Sequence, residues 1–415
     1  MPFWPAPHEG GHAVPGEPRV SENLSILIVD DDLHYRSFLA KVIEALDGVE
    51  LVPPAANGRI ALARLQSKSV DLVLLDMQMP EMSGLEVLRR VRENHPDIGV
   101  IMISGAYASD ADVVVEALEL GALDFLPKTP SLDSEDNMVL GFRSHLRTLF
   151  HQFQGRRNLR RARKMASETG RFQPRKDMAG DSISTSFGHA WPRQTSDVPT
   201  WRPGSIPSVR PGKIDVVVIG ASTGGPNALS ELIPRLPGNL RVPVLIVQHM
   251  PAFLTASLAD SLNAKSEMDV HEAVDGEILK AGSAYIAPGG THLTVASESA
   301  LEGTSKRRFI RLDHGPPENS VRPSADVLFR SVAESFQGHT LAVIMTGMGN
   351  DGMKGVRALK QQGCYCLAQS EDTCVVYGMP RAVDEAALSD ERVELPTMAD
   401  RMVELIDGST REGKP

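Results

Sequence analysis

Two α/β domains joined by a basic linker are predicted for this 415-residue chain. Three observations carry that prediction. Residues 25 to 150 alternate strand-like apolar runs with helix-period segments about five times. A second alternating region opens at Ile214, where a β-branched run meets a glycine-rich turn and then an amphipathic segment. Between them, residues 151 to 212 are rich in Ser, Pro, Gly and Arg and lack apolar periodicity. Alternating β and α patterns build doubly wound, mostly parallel sheets, and 415 residues is about the length of two domains. The expected division is a disordered extension over 1–22, a first domain over 23–150, a flexible linker over 151–212 and a second domain over 213–410.

In the first domain, Ser25–Val29 reads as a strand ending in Asp30, Asp31 and Asp32. The helix after it places Phe38, Leu39, Val42, Ile43 and Leu46 on one face. Asp71–Asp76 is a second strand ending in an acid. Val100–Ser104 ends in a hydroxyl, and the strand over Ala122–Lys128 ends in a lysine. In a parallel sheet, residues just past the carboxyl ends of the strands converge on one crevice. Asp30, Asp31, Asp76, Ser104 and Lys128 therefore come together. Three carboxylates side by side repel one another and call for a cation, and an all-oxygen set suits Mg²⁺. A hydroxyl and a lysine beside them suit a transferred phosphoryl group.

The second domain opens on Val216–Ile219, a strand running into Gly220-Ala-Ser222-Thr-Gly224, with a helix from Asn227. A serine at a glycine-flanked strand-to-helix turn has the geometry of a nucleophile elbow, with helix N–H groups available to a developing oxyanion. The same turn, taken alone, also serves as a plain tight turn or a phosphate loop. Val242–Gln248 is a second buried strand, ending at His249, and Leu341–Met345 leads into a glycine-rich loop carrying Asp351. Ser, His and Asp at three strand ends are the parts of a hydrolytic triad. Gly347-Met-Gly349-Asn-Asp-Gly352 also matches a dinucleotide fingerprint, with Glu371 where a ribose-binding acid is expected. Asp351 opposes that reading, because a carboxylate inside the loop repels a pyrophosphate.

Here a resemblance enters. Residues 25 to 130 resemble a response-regulator receiver domain, which implies a flavodoxin-like sheet of order 2-1-3-4-5. By that likeness Asp76 is the phospho-acceptor, Asp30 and Asp31 are the main Mg²⁺ ligands, Ser104 and Lys128 contact the phosphoryl group, and Phe125 is the aromatic switch residue. Residues 213 to 405 resemble the catalytic domain of the chemotaxis protein-glutamate methylesterase family, through IGASTGGP, VQHMP, YIAPGGTHL, RPSADVLF, MTGMGNDG and VVYGMP. That likeness makes Ser222 the nucleophile, His249 the base and Asp351 the orienting acid. Thr223 lines the site, and the Met348 N–H serves the oxyanion hole. It implies methylated chemoreceptors as substrate and a chemotaxis-type histidine kinase as phosphoryl donor. It calls for no metal in the ester hydrolysis. Two departures stand out. Lys128 is followed by Thr129 before Pro130, and Pro53 and Pro54 fall in the second strand, which an edge position tolerates.

Composition narrows the partners. No apolar stretch approaches a membrane span, and residues 1–21 lack the apolar core of a signal peptide. Cys364, Cys366 and Cys374 fit buried thiols of a reducing cytoplasm better than a metal or disulfide set. The linker carries 12 basic and 4 acidic residues in a chain of net charge −10. It reads as a solvated basic segment that can lie on acidic domain surfaces, and no nucleic-acid reader is recognisable. The alternatives from other classes are a receiver-controlled oxidoreductase and a non-catalytic phospho-switch scaffold.

Overall fold

The computed structural model describes residues 23–105, 110–128, 146–147, 150, 153, 214–298 and 307–408. The 1–22 extension, the 151–212 linker apart from Phe153, and the Thr129-Pro130 departure lie outside them. The first domain runs β1 (Leu24–Val29), α1 (Leu33–Glu44), β2 (Val49–Ala55), α2 (Gly58–Ser67), β3 (Leu72–Asp76), α3 (Gly84–Asn94), β4 (Gly99–Ser104), α4 (Ala111–Glu119) and β5 (Asp124–Pro127). Its five strands are all parallel in the order β2-β1-β3-β4-β5, as the resemblance implies. β1, β3 and β4 are buried along their whole length. Helices cover both faces of such a sheet, so its central strands read as unbroken Val, Ile and Leu runs. β2 is the edge strand that accommodates Pro53 and Pro54. Its register against β1 passes from Leu27↔Val52 to Val29↔Ala55, so β2 carries one extra residue where the prolines stand.

The second domain begins with β6 (Val216–Ala221), α5 (Gly225–Leu232), β7 (Val244–Gln248), α6 (Ala252–Lys265), β8 (Asp269–Glu272) and β9 (Ser283–Ile286). It continues with β10 (His292–Glu298), β11 (Arg307–Asp313), α7 (Ala325–Phe336), β12 (Thr340–Ile344), α8 (Met353–Gln361), β13 (Tyr365–Gln369), α9 (Met379–Glu385), β14 (Glu391–Val393) and α10 (Leu395–Asp407). Seven parallel strands form one sheet in the order β14-β13-β12-β6-β7-β9-β8. The chain lays strands to one side of β6 first and to the other side later. The sheet therefore has its topological switch beside β6, where a ligand crevice opens. The antiparallel pair β10–β11, absent from the sequence expectation, stands apart from this sheet.

The two domains share an apolar contact. Val114 and Leu118 on α4 and Phe125 on β5 belong to one continuous buried cluster with Leu229 on α5 and Leu254 and Leu258 on α6. Phe125 meets Phe253 edge-on, with ring centroids 6.3 Å apart. All three cysteines are free and buried. Among the described residues, no helix is long and apolar enough to cross a membrane.

Candidate active site and its receiver

The three triad candidates lie past the ends of neighbouring strands. Ser222 follows β6 directly, His249 follows β7, and Asp351 sits seven residues beyond β12, on the far side of β6. The serine turn depends on its glycines. Gly224 has φ +75°, a left-handed conformation that glycine adopts without a Cβ clash. A Cβ on Gly225 would fall 1.8 Å from Gln248 Oε1. Glycine there lets the Gln248 amide lie against the turn, where Nε2 donates to the Ser222 carbonyl at 3.0 Å.

His249 Nε2 is 2.8 Å from Asp351 Oδ2, and both side chains are largely buried. The Asp351 carboxylate also accepts from Ser324 Oγ (2.7 Å), Ala325 N (2.6 Å), Asn319 Nδ2 (2.8 Å) and Asp326 N (3.2 Å). Ser324 is the N-cap of α7, so Asp351 sits on a helix N-terminus, which favours negative charge. Burial works to raise the Asp351 pKa. The bonds from His249, Ser324 and Ala325 outweigh it and hold the carboxyl well below its ordinary range. The aspartate is thus ionised and fixed, and it presents an acceptor to one imidazole nitrogen. It also fills the glycine loop with negative charge where a dinucleotide would need free backbone donors, so the geometry does not favour the oxidoreductase alternative.

Ser222, Thr223, His249, Met348 and Asp351 line one cavity of about 390 Å³. Among the described residues, Ser222 Oγ makes no hydrogen bond to His249, and the Met348 N–H has no protein acceptor. The opposite wall of that cavity belongs to the first domain: Leu118, Leu123, Asp124 and Phe125. Thr223 Oγ1 donates to Asp124 Oδ2 at 3.1 Å. The end of α4 is bound as well. The largely buried Glu119 carboxylate accepts from Ser230 Oγ (3.1 Å), Ser261 Oγ (2.8 and 3.0 Å) and Lys265 Nζ (2.6 Å). Its carbonyl accepts from Asn227 Nδ2 at 2.7 Å.

The acidic pocket of the first domain forms as the strand ends dictate. Asp30, Asp31 and Asp76 offer oxygens that lie within 4.8 Å of one another. Lys128 Nζ stands 3.0 Å from Asp30 Oδ2 and 2.9 Å from Asp76 Oδ2. Burial, with the Asp30 charge adding to it, pushes the Asp76 carboxyl up to about 6 against the pull of Lys128. Burial disfavours the Lys128 ammonium, but Asp76 and Asp30 more than compensate and raise its pKa. Ser104 Oγ is buried with no hydrogen-bond partner among the described residues. A clustered, destabilised set of carboxylates and an unsatisfied hydroxyl fit a hard divalent cation and a phosphoryl oxygen.

Sequence reasoning missed Asn319 and Ser324, which hold Asp351, and Asp124 and Glu119, which face the second domain. Ser324 had a usable signal, since Ser-Ala-Asp is a helix N-cap pattern. Nothing local marks Asp124 or Glu119, whose roles arise from domain docking.

A receiver-type sheet docked over an α/β sheet with Ser, His and Asp at adjacent strand ends defines a receiver-linked hydrolase. Residues 217–402 match the CheB methylesterase family and residues 26–137 the response regulator receiver domain family. A protein-glutamate methylesterase/protein-glutamine glutaminase from Desulfotalea psychrophila is 39% identical over 93% of this chain and 99% of its own. One from Saccharophagus degradans is 38% identical over 91% of this chain and 98% of its own. The crystal structure of the Thermotoga maritima CheB methylesterase catalytic domain is 43% identical, covering 46% of this chain and 98% of that one, with a TM-score of 0.44. The chain belongs to the protein-glutamate methylesterase/protein-glutamine glutaminase family.

Proposed function

We propose that this chain is a phosphorylation-regulated serine hydrolase that removes methyl groups from glutamate methyl esters on chemoreceptors. The observation that carries the reading is the fixed His249–Asp351 pair sharing a cavity with Ser222. Ser222 Oγ attacks the γ-carbonyl, and His249 takes the hydroxyl proton. Nε2 is committed to Asp351, so Nδ1 is the nitrogen that acts as base. The carbonyl oxygen becomes an oxyanion, for which the Met348 N–H, without a protein acceptor among the described residues, is a donor, and Thr223 lines the same cavity. His249 returns the proton to the departing methoxide, methanol leaves, and water repeats the steps on the acyl-serine to release the glutamate carboxylate. The same steps on a glutamine side chain release ammonia, the activity that the relatives' shared name adds.

The domain division at 23–150, 151–212 and 213–410 fits this reading, as does work in the cytoplasm beside a chemotaxis-type histidine kinase. Asp76 accepts the phosphoryl group, with Ser104 and Lys128 positioned for its oxygens. Asp30, Asp31 and Asp76 would hold Mg²⁺, which neutralises charge on the transferred group. Phe125 and Asp124 stand on the strand leading to Lys128, so a change at the phosphorylated pocket reaches the wall of the catalytic cavity through β5. The deciding experiment measures methanol release from methylated receptor fragments, with and without a small-molecule phosphoryl donor. Release that depends on Ser222 and rises with the donor supports the reading, whereas no release under either condition refutes it.

A further inference from the structure

The Gly347–Met348 peptide is held from behind by the start of α9. Gly347 O accepts from both Gly378 N (3.1 Å) and Met379 N (2.9 Å), while Gly347 N donates to Val376 O at 3.0 Å. A trans peptide points its C=O and its N–H in opposite directions. With the Gly347 carbonyl pinned toward α9, the Met348 N–H is turned the other way, away from α9. There it has no protein acceptor among the described residues, and Met348 lines the cavity with Ser222. The fit leaves no slack. A Cβ on Gly347 would stand 2.7 Å from Ser222 Cβ, and a Cβ on Gly378 would stand 2.6 Å from Gly347 O.

The segment that supplies these donors is itself braced. The buried Thr346 hydroxyl donates to Thr223 O at 3.0 Å and accepts from Val376 N at 3.0 Å, tying the serine turn to residues 376–379. Tyr377 donates its hydroxyl to Asp384, and Ser389 and Arg392 bind the same carboxylate. We propose that Gly378 and Met379 are positioning residues for the hydrolysis. Their N–H groups fix the Gly347–Met348 peptide so that its N–H meets the developing oxyanion, and Tyr377–Asp384 anchors them. This rests on the ester-hydrolase reading above.

Gly378→Ala in the full chain tests it. The added methyl must displace the Gly347 carbonyl and so misdirect the Met348 N–H. The expected result is a fall in kcat of ~10²-fold, as for loss of one oxyanion donor, with KM nearly unchanged. Labelling of Ser222 by a phosphonate, which places an oxygen in the same hole, should slow in parallel. A wild-type kcat, or a loss confined to KM, overturns the proposal. If Gly378→Ala does not accumulate as folded protein, Tyr377→Phe replaces it, with a smaller fall in kcat at constant KM expected and an unchanged kcat overturning. Wild type and Ser222→Ala run beside both variants. An inactive wild type refutes the hydrolase reading itself, whereas an active wild type, an inactive Ser222→Ala and a fully active Gly378→Ala refute only the brace.

Discussion

Thr223, the residue after the candidate nucleophile, donates its hydroxyl to Asp124 of the receiver at 3.1 Å. One hydrogen bond thus joins the serine turn to β5, and Lys128, the residue after β5, bridges Asp30 and Asp76. The acidic pocket around Lys128 and the cavity lined by Ser222 lie at opposite ends of β5.

Glu119 should be the stronger hold on the receiver. Its carboxylate collects two serines and Lys265, all from the second domain. Glu119→Ala removes these bonds and is expected to raise the unphosphorylated rate by roughly 5- to 150-fold, the range of a 1–3 kcal/mol domain coupling. The rate of phosphorylated protein should change little. Initial rates of wild type and Glu119→Ala with and without phosphoryl donor check this, and an unphosphorylated rate equal to wild type would show that Glu119 does not hold the receiver shut.

Asp351→Asn should keep the fold and lower turnover on the order of 10⁴-fold, because an amide favours the wrong imidazole tautomer. Ser222→Ala should lose at least as much. The double variant should be little worse than either, since groups acting as one unit are not additive. Near-wild-type turnover in either single variant contradicts the triad.

These residues were legible in the sequence because strand ends fix them. Ser222, His249, Asp30 and Lys128 each follow directly on a strand, and Asp76 and Ser104 close one. The edge placement of Pro53 and Pro54 was legible for the same reason, since only an edge strand tolerates the missing N–H. The support of Asp351 was not. Ser324 lies 27 residues before it and reaches it only because α7 packs with its N-terminus toward the loop. Asp124 and Glu119 read as ordinary receiver residues until the two domains are docked.

Asp76 should make the receiver's stability depend on pH. Its carboxyl titrates near 6 when folded, against 3.8 for the ordinary group. A raised carboxyl pKa means that the folded protein holds a proton the unfolded chain has already lost. That contribution is complete below about 4 and disappears as pH rises through about 6. Asp76→Asn removes the buried charge, so it should stabilise the protein by ~1–3 kcal/mol at pH 7.5 and by much less at pH 4. Denaturant melts of both proteins at the two pH values check the sign, and an equal effect at both would contradict it.

Mg²⁺ should bind through Asp30, Asp31 and Asp76. Asp31→Asn removes one oxygen ligand and one charge while leaving the two buried acids in place, so a titration should show weaker binding. Unchanged affinity would remove Asp31 from the pocket.

On the proposed function, Ser222 is a nucleophile whose access the receiver controls. The most direct measurement is the rate of Ser222 labelling by a serine-directed phosphonate in the full chain, with the labelled residue mapped by peptide mass. The expected result is modification at Ser222 alone, slow without a phosphoryl donor and faster with one. Labelling at another residue, or one rate in both states, would contradict it.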